Sequence, residues 1–61
     1  MANAKRKGTL QIIDDEASIC FAFRRYFEKR GYDVLTSSRG AEGLQQCLSQ
    51  KPDMVFLDVR L

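Results

Sequence analysis

Three short apolar runs punctuate the chain: Thr9 to Ile13, Tyr32 to Thr36 and Met54 to Leu57. Each is rich in Ile, Val, Leu or Phe and bounded by Gly, Pro or Asp, which reads as strand rather than helix fragment. The first and third are apolar almost without alternation, the pattern of strands covered on both faces of a parallel sheet. Between the runs lie two helix-length stretches. Ala17 to Arg30 has no Gly or Pro inside it, and Gly31 stands where a left-handed C-terminal residue belongs. Arg39 to Gln50 is weaker, because Gly40 and Gly43 each cost it about 1 kcal/mol relative to Ala. Ser37 or Ser38 is placed to cap its start, and Lys51 with Pro52 to end it. The order is β-α-β-α-β, an α/β fold whose right-handed crossovers lay the two helices on a parallel sheet, on one face or on both.

At 100° per residue, Ile19, Ala22, Phe23, Tyr26 and Phe27 share one stripe of the first helix, which is its expected core face. Phe21 falls almost opposite, among Arg24, Arg25 and Glu28, and is expected to be wet. Cys20 at the stripe's edge, and Cys47 beside Leu44 and Leu48 on the second helix, read as small buried hydrophobes, since no activating base or metal pattern accompanies them. Two cysteines do not make the dense pattern of a secreted disulfide scaffold, so a reducing, cytoplasmic setting is expected.

The 61 residues form one folding unit, 44% hydrophobic and 30% charged, with no apolar run near membrane-spanning length and no secretory h-region after the basic start. A domain this small buries only about 60% of the surface its unfolded chain exposes, so its stability margin is thin. The net charge of +2 is a property of one end: ten basic residues less Lys5, Arg6 and Lys7 leaves seven against eight acidic ones. Residues 1–8 are therefore expected to be a solvated basic tail ahead of a unit over 9–61, and no nucleic-acid contact is expected from three cations alone. Histidine is absent, which removes histidine ligands, histidine bases and a phosphorylatable histidine.

The chemistry lies in the carboxylates. Asp14 and Asp15 directly follow the first strand, and Asp58 ends the third. Taken alone, the pair would be helix N-cap and first-turn residues, and Asp58 a loop residue. Ligands of open α/β sheets, however, bind outside the carboxyl ends of the strands where the strand order reverses. If strands one and three are neighbours, the three carboxylates meet in that crevice, where they repel one another unless a cation neutralises them. A hard divalent ion with oxygen ligands, Mg²⁺ above all, suits such a site, and one carboxylate there can act as a nucleophile towards phosphorus.

Leu10-Gln11-Ile12-Ile13-Asp14-Asp15-Glu16, Gly31-Tyr32-Asp33-Val34 and Lys51-Pro52-Asp53-Met54-Val55-Phe56-Leu57-Asp58-Val59-Arg60-Leu61 together resemble the receiver domain of two-component response regulators. The resemblance implies a flavodoxin-like doubly wound sheet with strand order 2-1-3 over the part present, the N-terminal half of a receiver cut after its third strand. It implies that Asp58 accepts a phosphoryl group from a histidine kinase or phosphotransfer protein. It also implies that Asp14, Asp15 and Asp58, with the backbone carbonyl of Arg60, hold Mg²⁺. Such a module takes up a group and is not itself an enzyme. Arg60 stands where an aspartyl phosphatase would carry its general acid. The later strands, with their switch hydroxyl and Lys, are not in the matching segment, so impaired phosphotransfer is expected. The alternative is a structural half-domain that self-associates, as a homo-oligomer, through the edge of Met54 to Leu57.

Overall fold

A computed structural model describes residues 7–58. Its elements run β1 (Gly8–Ile13), α1 (Ala17–Glu28), β2 (Tyr32–Ser37), α2 (Gly40–Gln50) and β3 (Met54–Leu57). Arg60 and residues 1–6 of the expected tail lie outside the described residues. The three strands form one parallel sheet in the order β2-β1-β3, with Ile13 paired to Ser37 on one side and to Leu57 on the other. This is the expected α/β architecture. No helix among the described residues is long and apolar enough to cross a membrane.

The helices cover opposite faces. Gln11 and Ile13 turn towards α2, where the Gln11 Nε2 donates to the Gly43 carbonyl at 2.9 Å and to Gln46 Oε1 at 2.9 Å. Ile12 and its partner Phe56 point the other way. There Phe56 meets Phe23 edge-on, with ring centroids 4.8 Å apart, and Phe27 at 6.3 Å, while Phe27 also reaches Tyr32. Leu10, Ile12, Ile13 and Val34 are the buried apolar core, centred on β1.

Both helices are rotated from the faces their patterns suggest. On α1 the half-buried residues are Cys20, Phe23 and Phe27, while Ile19, Ala22 and Tyr26 are exposed. These two sets flank Phe23 on opposite sides of the helical wheel. The buried flank is the one carrying Cys20, beside Thr36 and Ser37 at the end of β2. Three strands are too narrow to cover the whole stripe. On α2 the sheet-facing residues are Gly43, Gln46 and Cys47, and Leu44 and Leu48 are left 60% and 67% exposed. Gly43 faces the sheet because it has no side chain: a Cβ there would lie 2.4 Å from Ile13 Cδ1, 2.7 Å from Ile13 Cγ1 and 2.8 Å from Ser37 Oγ. β3, whose apolar run suggests cover on both faces, is exposed along its length among the described residues.

The ends also differ in detail. α1 stops at Glu28, two residues early, with Lys29 as its C-cap and Gly31 at φ 94° as expected. Arg39, not a serine, is the N-cap of α2; it makes no side-chain capping bond, and the Ser37 hydroxyl instead donates to its carbonyl at 3.4 Å. Lys51 ends α2 in a left-handed conformation, φ 50°.

The two glycines of α2 should therefore respond oppositely to alanine. Gly40→Ala meets nothing within 4 Å and should stabilise by up to about 1 kcal/mol. Gly43→Ala should destabilise by about 1–3 kcal/mol, because Ile13 is buried and stiff at χ1 and yields little to the added methyl. Urea unfolding of the two variants checks the sign at each position.

Candidate functional site

Backbone hydrogen bonds build the acidic crevice before any side chain contributes. The Asp14 amide donates to the Ser37 carbonyl at 3.0 Å, carrying the β1–β2 ladder one step past the end of β1. On the other side the Asp58 amide donates to the Ile13 carbonyl at 3.0 Å, carrying the β1–β3 ladder past Leu57. Asp14 and Asp58 are thus neighbours because β1 is the middle strand, as the sequence reading required. One carboxylate oxygen from each of Asp14, Asp15 and Asp58 lies within 4.8 Å of the others. Asp14 is buried, Asp58 half-buried and Asp15 exposed.

Asp14 is not a helix cap. Its Oδ1 accepts the Glu16 amide at 2.9 Å, an Asx turn that swings the chain from the strand into α1, and Glu16 is the N-cap residue. The Cys20 thiol donates to the Asp14 carbonyl at 3.4 Å. Burial, and after it the nearby Asp14 charge, push the Cys20 thiol above its ordinary pKa. Sequence reasoning placed Cys20 as a filler of the core and missed this contact; its signal was a small donor one turn into the helix that follows the acidic pair.

Asp14 stands between two hollows. One, of about 230 Å³, is lined by Ile12, Asp14, Phe56, Leu57 and Asp58. The other, of about 410 Å³, runs between the starts of α1 and α2, past Asp15, Cys20, Phe21, Arg24, Ser38 and Glu42. Phe21 is exposed there as expected, with the Arg25 guanidinium 5.7 Å from its ring centre.

The donor set fits a hard divalent cation. Three carboxylates converge, each offering an oxygen within 4.8 Å of the others, which is the hard oxygen donor set such an ion would take. One or two carboxylates with waters already suffice for Mg²⁺. The expected further ligand, the Arg60 carbonyl, lies outside the described residues.

Comparison with known proteins agrees with this geometry. The family described as "Response regulator receiver domain" matches residues 10–61. The alkaline phosphatase synthesis transcriptional regulatory protein PhoP of Bacillus subtilis is 44% identical over 50 residues, covering 82% of this chain and 21% of its own length. The transcriptional regulatory protein KdpE of Mycobacterium tuberculosis (strain ATCC 25618 / H37Rv) is likewise 44% identical over 50 residues, 82% of this chain and 22% of its own. The alginate biosynthesis transcriptional regulatory protein AlgB of Pseudomonas aeruginosa is 34% identical over 58 residues, 95% of this chain and 13% of its own. The chain belongs to the receiver domain family of two-component response regulators. It spans less than a quarter of the length of these relatives.

The raised Cys20 pKa leaves less thiolate at a given pH. Iodoacetamide at pH 8 should accordingly modify Cys20 more slowly in the folded protein than in urea, as read by peptide mass spectrometry; equal rates would show that the thiol is neither shielded nor shifted.

Proposed function

We propose that this chain is the phosphoacceptor segment of a two-component receiver in the cytoplasm, with Asp58 as the acceptor. The observation that carries this reading is the convergence of three carboxylates at the carboxyl ends of adjacent parallel strands. Asp58 sits at the mouth of the smaller hollow, half-buried, where a donor can approach. Asp14 is more deeply set and committed to its Asx turn. An Asp58 carboxylate oxygen attacks the phosphorus of a phosphohistidine on a kinase or phosphotransfer protein. The P–N bond breaks, its electron pair stays on the imidazole nitrogen, and an acyl phosphate forms on Asp58. Asp14 and Asp15, with Asp58 and the Arg60 carbonyl, would hold Mg²⁺, which when bound offsets the charge of the transferring group. Without a cation, three carboxylates oppose the approach of a phosphoryl dianion. The segment accepts a group and turns over no substrate.

Incubation with acetyl phosphate and Mg²⁺ should add one phosphoryl group to Asp58, detected by intact-mass and peptide mass spectrometry. The yield should be low, because no Lys reaches the transferred group from the described residues, and it should vanish on adding EDTA. Asp58→Asn should abolish the adduct. An adduct that persists in that variant would reassign the acceptor.

A second reading, self-association, is favoured by β3. Among the described residues this strand pairs on one side only, with β1, and Met54, Val55, Phe56 and Leu57 are all exposed. Its other edge carries no proline or bulge, the devices that keep edge strands apart. Two copies joined edge to edge around a two-fold axis would cover this surface in a continuous six-stranded sheet. Phe56 also packs on Phe23 and Phe27, so the informative substitution is at Val55, on the opposite face. Sedimentation should show a mass that rises with concentration for the native chain and a monomer for Val55→Lys; a native chain that stays monomeric across micromolar concentrations removes this reading.

A further inference from the structure

Asp14 is held at three points besides its burial. Its amide enters the ladder with Ser37, its Oδ1 takes the Glu16 amide, and its carbonyl takes the Cys20 thiol. The third of these differs in kind. The Asp14 carbonyl belongs to the peptide plane that joins Asp14 to Asp15, so whatever orients it also sets the direction in which the Asp15 side chain leaves the backbone. Cys20 sits in the first turns of α1, where its own amide is fixed to the Glu16 carbonyl at 3.2 Å. Its side chain reaches back from a rigid helix across the turn to the Asp14–Asp15 peptide.

We propose that the Cys20 thiol is a positioning residue for the acidic site: by donating to the Asp14 carbonyl it locks the Asp14–Asp15 peptide to α1 and holds both carboxylates in their converging arrangement. This rests on the receiver reading only for the identity of the ion the carboxylates hold. Groups that orient metal ligands from behind are commonly worth about 10-fold or more in affinity. A thiol is a weak donor, so a smaller effect, about threefold, is expected here.

Two substitutions separate hydrogen bonding from packing. Cys20→Ser keeps a donor and loses volume and apolar character; Cys20→Val keeps apolar volume and loses the donor. Each is followed by two measurements on the full chain: Mg²⁺ and Mn²⁺ titration read from amide chemical shifts near Asp14 and Asp58, and hydrogen exchange of the Glu16 amide without metal. Cys20→Val should weaken metal binding about threefold and speed Glu16 exchange, while Cys20→Ser should stay close to the native protein in both. A valine variant indistinguishable from native, or a serine variant worse than valine, overturns the proposal, the latter because it assigns the effect to packing. A flat titration of the native chain would sink the Mg²⁺ reading instead, and the Glu16 exchange would then decide the role of Cys20 by itself.

Discussion

The central place of β1 is the constraint from which the rest follows. A strand paired in parallel on both edges and covered on both faces has its neighbours' carboxyl ends gathered at its own carboxyl end, with no further device needed. Here that geometry sets Asp14, one step beyond β1, between Ser37 at the end of β2 and Asp58 just past β3. The same strand anchors α2 through Gln11 and Ile13, while α1 packs mainly on β2 and on Phe56 of β3. Moving β1 to an edge would separate the carboxylates by a strand width and leave a helix without its footing.

The two ends of the sheet show what position does to one residue type. At the amino end, the Asp53 Oδ2 accepts the Thr9 amide at 2.8 Å while the Asp53 amide donates to the Thr9 carbonyl at 2.8 Å. That carboxylate is used up in tying the start of β3 to β1. At the carboxyl end, Asp14, Asp15 and Asp58 crowd together with like charge. A structural aspartate seeks amide donors; a cluster of three that meet at a strand crevice concentrates negative potential suited to a cation.

Much of this was legible in the sequence because parallel sheets have strong local signatures. The three apolar runs between punctuating Gly, Pro and Asp gave the strands to within a residue, and the Asp pair after one strand with an Asp after another gave the crevice. What escaped depends on orientation rather than order. The stripe of α1 is wider than three strands can cover, so which flank is wet was decided by the sheet and not by the helix. α2 presents Gly43, Gln46 and Cys47 to the sheet and leaves its two leucines out, against its hydrophobic pattern, because close approach to Ile13 admits only a glycine. Gln11 is wholly buried, at 0% exposure, in a run that reads as apolar; its amide takes the place of hydrophobic contact in seating the helix. A serine beside a helix start is expected to cap it, but Ser37 is drawn into β2.

That last displacement connects the second helix to the acidic site. Ser37 gives its carbonyl to the Asp14 amide, its hydroxyl to the Arg39 carbonyl at the start of α2, and its Oγ stands against Gly43. One buried residue therefore touches both the backbone of a proposed metal ligand and the seat of a helix that is otherwise lightly held: Gly43 is the one buried residue among those described in α2. A helix seated by close approach at one glycine and one glutamine amide has little apolar area to resist displacement. Through its hydroxyl and its carbonyl, Ser37 thus joins the start of α2 to the Asp14 backbone beside the acidic crevice.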